Sequence, residues 1–331
     1  MNNMHKKINI NKGIQILRMI LCLWVLSFHY LNRKKLNYFF FRLIKTKFFH
    51  VPCFSFITFY YSYNIFSKGK FSKFKARLER LLIPYLIWPL LVFIKNNISN
   101  EHKKFSLIHL KNQIIFGSKF IVPLWYLFSI IIITIFFYIL SKLFIKYFLF
   151  IAQLLMIISY VFLYSHSYIF LFNYKDYVRF SLLGTLGIFP ICISALLIAS
   201  LKIIEKLQLY RKISLFYSFL SIYILFKYDL FVVLKGYKGI MNNLAAIFFF
   251  LGFYLLPLET LSSNIEKIII IITNYTQGIY CLHSEMIPFV RRNFDFEGTF
   301  KGCIIIYLIS YFISFIGTKL LWKTKFRFLF I

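Results

Sequence analysis

Acidic side chains are scarce in this chain: 331 residues carry 10 Asp+Glu against 40 Lys+Arg, a formal net charge of +30. There is no HExxH and no cluster of Asp, Glu and His, so nothing supports a metal centre. Five cysteines, Cys22, Cys53, Cys192, Cys281 and Cys303, show no CxxC and no repeated spacing. Each falls in or near an apolar run and reads as a small buried hydrophobe rather than part of a disulfide or metal framework. Walker, GxGxxG and GxSxG loops are also missing, which argues against an ATP-driven pump or a serine hydrolase. No internal repeat is evident, and no polar run is long enough for a second domain. Residues 1–331 therefore read as one domain.

Apolar and aromatic residues fill the space: 60% hydrophobic and 22% aromatic, with a mean hydropathy of +0.73. Soluble domains are roughly half apolar. Runs near twenty residues recur along the chain, continuous rather than alternating, so the expected class is all-α: a polytopic transmembrane helical bundle. Ten spans are expected, at 14–32, 48–66, 81–97, 123–140, 148–164, 180–200, 213–226, 241–258, 268–290 and 302–322. The seventh is short and the ninth is interrupted by polar residues. The segment 98–122 contains "FSLIHLKNQIIFG", which suits an interfacial helix.

The N-terminal "MNNMHKKININ" is basic and then apolar, as in a signal peptide. Arg18 interrupts the run and no small-residue cleavage site follows, so it reads as a retained first span. The positive charge lies mostly in short connectors, where anionic lipid headgroups attract it, which favours membrane lipids over nucleic acid as the partner. Lys+Arg divide equally between the two sides of a ten-span layout, so charge counting alone does not orient the chain.

Four stretches carry chemistry. In "LRMILCLWVLSFHYL", residues 17–31, Arg18 and His29 are eleven positions apart. At 100° per residue this places both on one helix face, about 16 Å apart along the axis. A guanidinium suits phosphate or carboxylate groups, and an imidazole suits a general base. Read from this helix alone, a snorkelling Arg and an interfacial His are the plainer explanation. In "ARLERLLIPYLIWP", residues 76–89, Arg77 and Arg80 are neighbours on a helix face and could hold a polyphosphate; positive-inside anchoring is the plainer alternative. In "VPLWYLFSI", residues 122–130, Pro123 opens a helix. Trp125 and Tyr126 sit at the membrane edge as an aromatic belt, although a Trp face can also stack on a nucleobase. In "NYTQGIYCLHSEMIPF", residues 274–289, Asn274, Thr276, Gln277, His283 and Glu285 interrupt an apolar stretch, and polar groups inside a span are functional suspects.

Taken in order, these signals resemble a known family. "ILRMILCLWVLSFHY" is similar to the R-x10-H signature that opens membrane acyltransferase-3 proteins, with Arg18 and His29 on its two positions. "VPCFSFITFYY" resembles the second span of that family. "RLERLLIPYLIW" resembles its basic entry to the third, "PLWYL" its Pro-Leu-Trp-aromatic-Leu motif, and "GIYCLH" its late Gly-Ile-Tyr-x-x-His motif, which contains Tyr280 and His283. The likeness runs from residue 13 to about 322. Three positions depart from the usual pattern: Thr58-Phe59 stands for Ser-Gly, "TQGIY" for "SYGIY", and "IQILR" lacks an Asp before Leu-Arg.

The resemblance implies transfer of an acyl group, usually acetyl from acetyl-CoA or another acyl-CoA, to a hydroxyl of a cell-envelope polysaccharide or lipid-linked glycan. It implies no permanently bound cofactor, a multi-pass place in the inner (cytoplasmic) membrane, and both termini in the cytoplasm. His29 and Arg18 are then the expected catalytic pair. Arg77, Arg80 and Trp125 are expected at the donor, and His283, Tyr280 and Glu285 at or behind the acceptor. A transporter or flippase for a lipid-linked oligosaccharide is the alternative from another class. It predicts internal repeats and paired broken helices, and neither is seen.

Overall fold

The computed structural model describes residues 11–30, 50–98, 107–116, 124–165, 177–229, 240–258, 262–276, 278–282, 290 and 300–322. Helices dominate, and no strand occurs among the described residues. In chain order they are α1 (Lys12–Tyr30), α2 (His50–Tyr60), α3 (Tyr63–Ser67), α4 (Phe71–Ile98), α5 (Leu107–Phe116), α6 (Leu124–Leu143) and α7 (Phe148–Ser165). They continue with α8 (Tyr177–Ser200), α9 (Ile203–Leu207), a 3₁₀ turn (Gln208–Ile213), α10 (Ser214–Asp229), α11 (Ile240–Tyr254), α12 (Ser263–Asn274) and α13 (Phe300–Trp322).

Within the described residues, helices lie along parts of the expected segments. The second span breaks at Tyr61–Ser62 into α2 and α3, and the ninth breaks at Tyr275 between α12 and the helical stretch 278–282. The basic segment 67–80, read as a connector, is helical from Phe71 onward, so Arg77 and Arg80 lie on α4 ahead of its apolar part. Among the described residues one helix, Leu124–Leu143, is both long and apolar enough to cross a membrane. Shorter apolar helical runs occur at Phe148–Val161, Gly184–Ser200, Ser214–Ile224, Ile240–Tyr254 and Tyr307–Leu320.

The largest core joins α1, α2, α3, α6, α7, α8, α9 and α11 around fully buried Phe56, Phe59, Phe66, Phe137 and Phe250. Phe137 meets Phe59 edge-on at 5.6 Å and stacks on Phe189 at 5.3 Å. Outward faces are also apolar: Phe150, Leu154, Ile157, Ile158 and Val161 of α7 are all exposed. An exposed apolar stripe of that length marks an interaction surface, here one suited to lipid. Because lipid tails are as apolar as these side chains, helix association must come from close packing and polar contacts.

Both devices are present. Gly252 of α11 lies so close to Ser218 of α10 that a Cβ would fall on the Ser218 hydroxyl. Gly13 of α1 touches the Phe253 carbonyl in the same way. Many buried hydroxyls are satisfied by their own helix or by a neighbour, while those of Thr134, Ser310 and Ser314 have no partner among the described residues. Ser129 bonds the Trp125 carbonyl at 3.0 Å and Thr185 of α8 at 2.8 Å. Asn243 of α11 donates to the Tyr160 hydroxyl of α7 at 2.9 Å. Such bonds keep polar side chains from standing unpaired in an apolar surround.

Candidate active site

The start of α1 is fastened on three sides. Asn11 donates to the Tyr254 carbonyl at 2.8 Å, Lys12 pairs with Glu266 of α12 at 2.8 Å, and Gly13 abuts α11. This fixes the helix whose next turns carry Arg18 and Cys22. Arg18 Nη2 donates to Thr276 Oγ1 at 3.2 Å. Thr276 spends its own proton on the Thr273 carbonyl at 2.9 Å, so the hydroxyl can serve Arg18 only as an acceptor. Cys22, one turn along α1, points its Sγ to within 4.0 Å of the Thr276 carbonyl. Tyr61, just beyond α2, lies within electrostatic reach of Arg18.

Arg77 occupies a second polar pocket. Its guanidinium carbon sits 5.5 Å from the centroid of the Phe59 ring, a cation–π geometry. Arg77 interacts electrostatically with Tyr126 of α6 and Cys192 of α8. Nε and Nη2 are buried and have no hydrogen-bond partner among the described residues. Burial lowers its pKa to about 10, with Tyr126 and Cys192 opposing the fall and Arg80 adding to it. Tyr126 is in turn held by Ser55 of α2, whose Oγ is 3.5 Å from the phenol oxygen, and by Thr58. The Tyr126 ring meets Tyr280 of the stretch 278–282 edge-on at 6.2 Å.

Helices distant in sequence thus bring Arg77, Ser55, Tyr126, Cys192 and Tyr280 into one neighbourhood, while Arg18 stands with Thr276 and Tyr61. Arg80 is exposed on α4. Trp125 is 7% exposed and packs within the main core. His29 lies on α1, its side chain outside the described residues; His283, Glu285 and Pro123 also lie outside them. No carboxylate pairs with Arg18 or Arg77 among the described residues, where Lys12 pairs with Glu266, Lys75 with Glu79 and Lys202 with Glu205.

Two participants were absent from the expected site. Tyr126 read as an aromatic belt residue, and Thr276 as one polar interruption among several. The signal for Thr276 was its place in "TQGIY", directly before the Gly-Ile-Tyr motif.

Chemically, both arginines are cations offered hydroxyls, phenols and rings instead of carboxylates. That arrangement leaves guanidinium donors available to an incoming anion. No curated protein and no solved structure matches the chain. A family model described as "Acyltransferase domain" matches residues 11–323, nearly the whole length, and takes in both arginine pockets. The chain belongs to the acyltransferase-3 family, and is an acyltransferase by that membership.

Proposed function

We propose that the protein is a multi-pass inner-membrane O-acyltransferase that moves an acyl group, acetyl in the first instance, from acyl-CoA to a hydroxyl of a cell-envelope polysaccharide or lipid-linked glycan. The observation that carries this reading is Arg77, a buried guanidinium with two nitrogens unpartnered among the described residues and no carboxylate beside it. An isolated buried charge is costly. It is useful where the partner arrives with the substrate, and the phosphates of CoA are such a partner. Arg80, exposed one turn further along α4, can meet a second phosphate.

The reaction follows from the side chains. His29 accepts the proton of the acceptor hydroxyl as its oxygen attacks the thioester carbonyl. The carbon–sulfur bond breaks, the CoA thiolate leaves, and the imidazolium returns the proton to sulfur. A positioned base contributes about 10²–10⁴-fold. Arg18, on the same face of α1, supports the donor's anionic groups or the carbonyl oxygen as charge develops. Tyr280 and His283 orient the acceptor. Both termini are cytoplasmic in this arrangement, so the donor enters from the side where acyl-CoA is made.

The test uses His29→Ala and Arg18→Ala at wild-type membrane levels, with O-acyl content of the envelope glycans measured by mass spectrometry. Loss of the acyl groups in both is expected. Unchanged acylation in either removes that residue's role, and failure of the purified wild-type chain to bind acetyl-CoA removes the reading altogether.

A further inference from the structure

The kink between α12 and the helical stretch 278–282 holds a single hydroxyl that faces the α1 arginine. α12 ends at Asn274, and the Tyr275 amide turns back to the Ile272 carbonyl at 3.1 Å. Helix resumes with the Ile279 amide bonded to the Tyr275 carbonyl at 2.9 Å. Thr276 therefore sits at the break, 5% exposed.

Its hydroxyl geometry is directional. The proton is committed to the Thr273 carbonyl, so a lone pair is presented to Arg18 Nη2. The backbone of Thr276 is touched from the same helix face by Cys22. Arg18 and Cys22 are four apart, so one face of α1 grips both the side chain and the carbonyl of this residue. A guanidinium at the end of a long flexible stem has many rotamers, and ordering it otherwise costs side-chain entropy. One fixed acceptor 258 positions away selects the rotamer.

We infer that Thr276 is a positioning residue for the acyl donor: by accepting the Arg18 hydrogen bond at the α12 break, it aims the remaining guanidinium N–H groups at the anionic groups of acyl-CoA and couples Arg18 to the segment that carries Tyr280. This rests on the reading of Arg18 as a donor-binding group. The Thr side chain suits the task because its methyl completes the packing while the hydroxyl serves two partners. Val keeps the shape and removes the acceptor, whereas Ser keeps the acceptor and removes the methyl.

The experiment measures acetyl-CoA binding to the purified full-length chain in lipid nanodiscs, alongside thermal unfolding. Thr276→Val weakens binding about 10- to 100-fold, the range for losing a hydrogen bond to a charged group. Thr276→Ser stays within about threefold of wild type. In the Arg18→Ala background, Thr276→Val adds less than about twofold, because its effect travels through Arg18. A merely structural role lowers the unfolding temperature and acts equally with or without Arg18. Wild-type affinity in Thr276→Val, failure of Ser to rescue, or full additivity with Arg18→Ala overturns the inference. If Arg18→Ala itself binds acetyl-CoA like wild type, the donor-binding reading of Arg18 falls first, and with it the premise of the positioning role.

Discussion

Replacing Arg77 by Met separates stability from function in a way the structure makes quantitative. Burial lowers the guanidinium pKa by more than two pH units, to about 10. At about 1.4 kcal/mol per pH unit, holding the charged form in this pocket costs about 3 kcal/mol. The cation–π contact with Phe59 is already present and is worth about 2 kcal/mol for a desolvated cation, so Met forfeits that much. Met also fills most of the stem volume and places a polarisable sulfur near the ring. The net expectation is that Arg77→Met stabilises the ligand-free protein by about 1 kcal/mol. For a chain of this length, that corresponds to a rise of roughly 1–2 °C in unfolding temperature.

Function should move the other way. Arg77→Met loses the pocket's fixed positive charge, so acetyl-CoA binding weakens and its ability to raise the unfolding temperature disappears. The assay is intrinsic-fluorescence unfolding of the purified protein with and without acetyl-CoA, with acyl transfer measured on the same samples. A ligand-free unfolding temperature well below wild type would show that Arg77 is a structural cation whose partner is already present. A ligand response equal to wild type would show that the pocket is not the donor site. Either result refutes the reasoning.

The same lowered pKa sets a pH dependence. Above about pH 10 the folded chain releases the Arg77 proton while the unfolded chain still holds it, so stability from this group rises with pH from there. The penalty is fully present below pH 10. Donor binding runs oppositely: an anion favours the charged form, so acetyl-CoA affinity is flat from about pH 7 to 9 and falls by up to about tenfold per pH unit above 10, as direct titration of wild type against Arg77→Met will show. At the start of α1, Gly13→Ala drives a methyl into the Phe253 carbonyl and costs about 1–3 kcal/mol or more. Its neighbour Lys12→Ala removes a partly exposed ion pair and costs under about 1 kcal/mol. Unfolding temperatures of the two purified variants test that order.

The helical class was legible because lipid-scale apolar runs are a strong signal. The misplaced features share a cause. Hydropathy marks where a helix is greasy, and says little about where the backbone stays helical. Lys, Arg and Glu are good helix formers, so "FSKFKARLER" continues α4 through a stretch that charge alone made look like a connector. The break at Tyr275 falls among Asn274, Thr276 and Gln277, the polar interruption the sequence displays, whereas the break at Tyr61–Ser62 lies inside an aromatic-rich run that carries no such mark.

At the site, Arg18 and Arg77 stood out because a cation beside or inside an apolar run is conspicuous. Tyr126 and Thr276 did not, because what distinguishes them is tertiary. Tyr126 matters through Ser55 and Arg77 on two other helices, and Thr276 through an arginine near the opposite end of the chain.

The two arginine pockets are not independent, and α2 is the reason. Ser55 and Phe59 are four apart, so they share one face of α2. On that face Ser55 steadies Tyr126 while Phe59 lies under the Arg77 guanidinium. At the end of the helix the chain turns, Tyr60 packs edge-on against Tyr254 at 5.9 Å, and Tyr61 comes within electrostatic reach of Arg18. A helix with no charged residue along Val51–Tyr60 therefore sets the spacing between the two cations. A thioester with its phosphates at one arginine and its carbonyl near the other requires that spacing to be held to a fraction of an ångström. Cys53, fully buried on α2, bonds the Ala246 carbonyl of α11 at 3.5 Å and locks the helix from behind. The expected consequence is that enlarging Cys53 to Leu shifts α2 as a unit, degrading acetyl-CoA binding through both pockets at once. Adding that change to Arg77→Met should then still weaken binding further, because the Arg18 side remains to be disturbed.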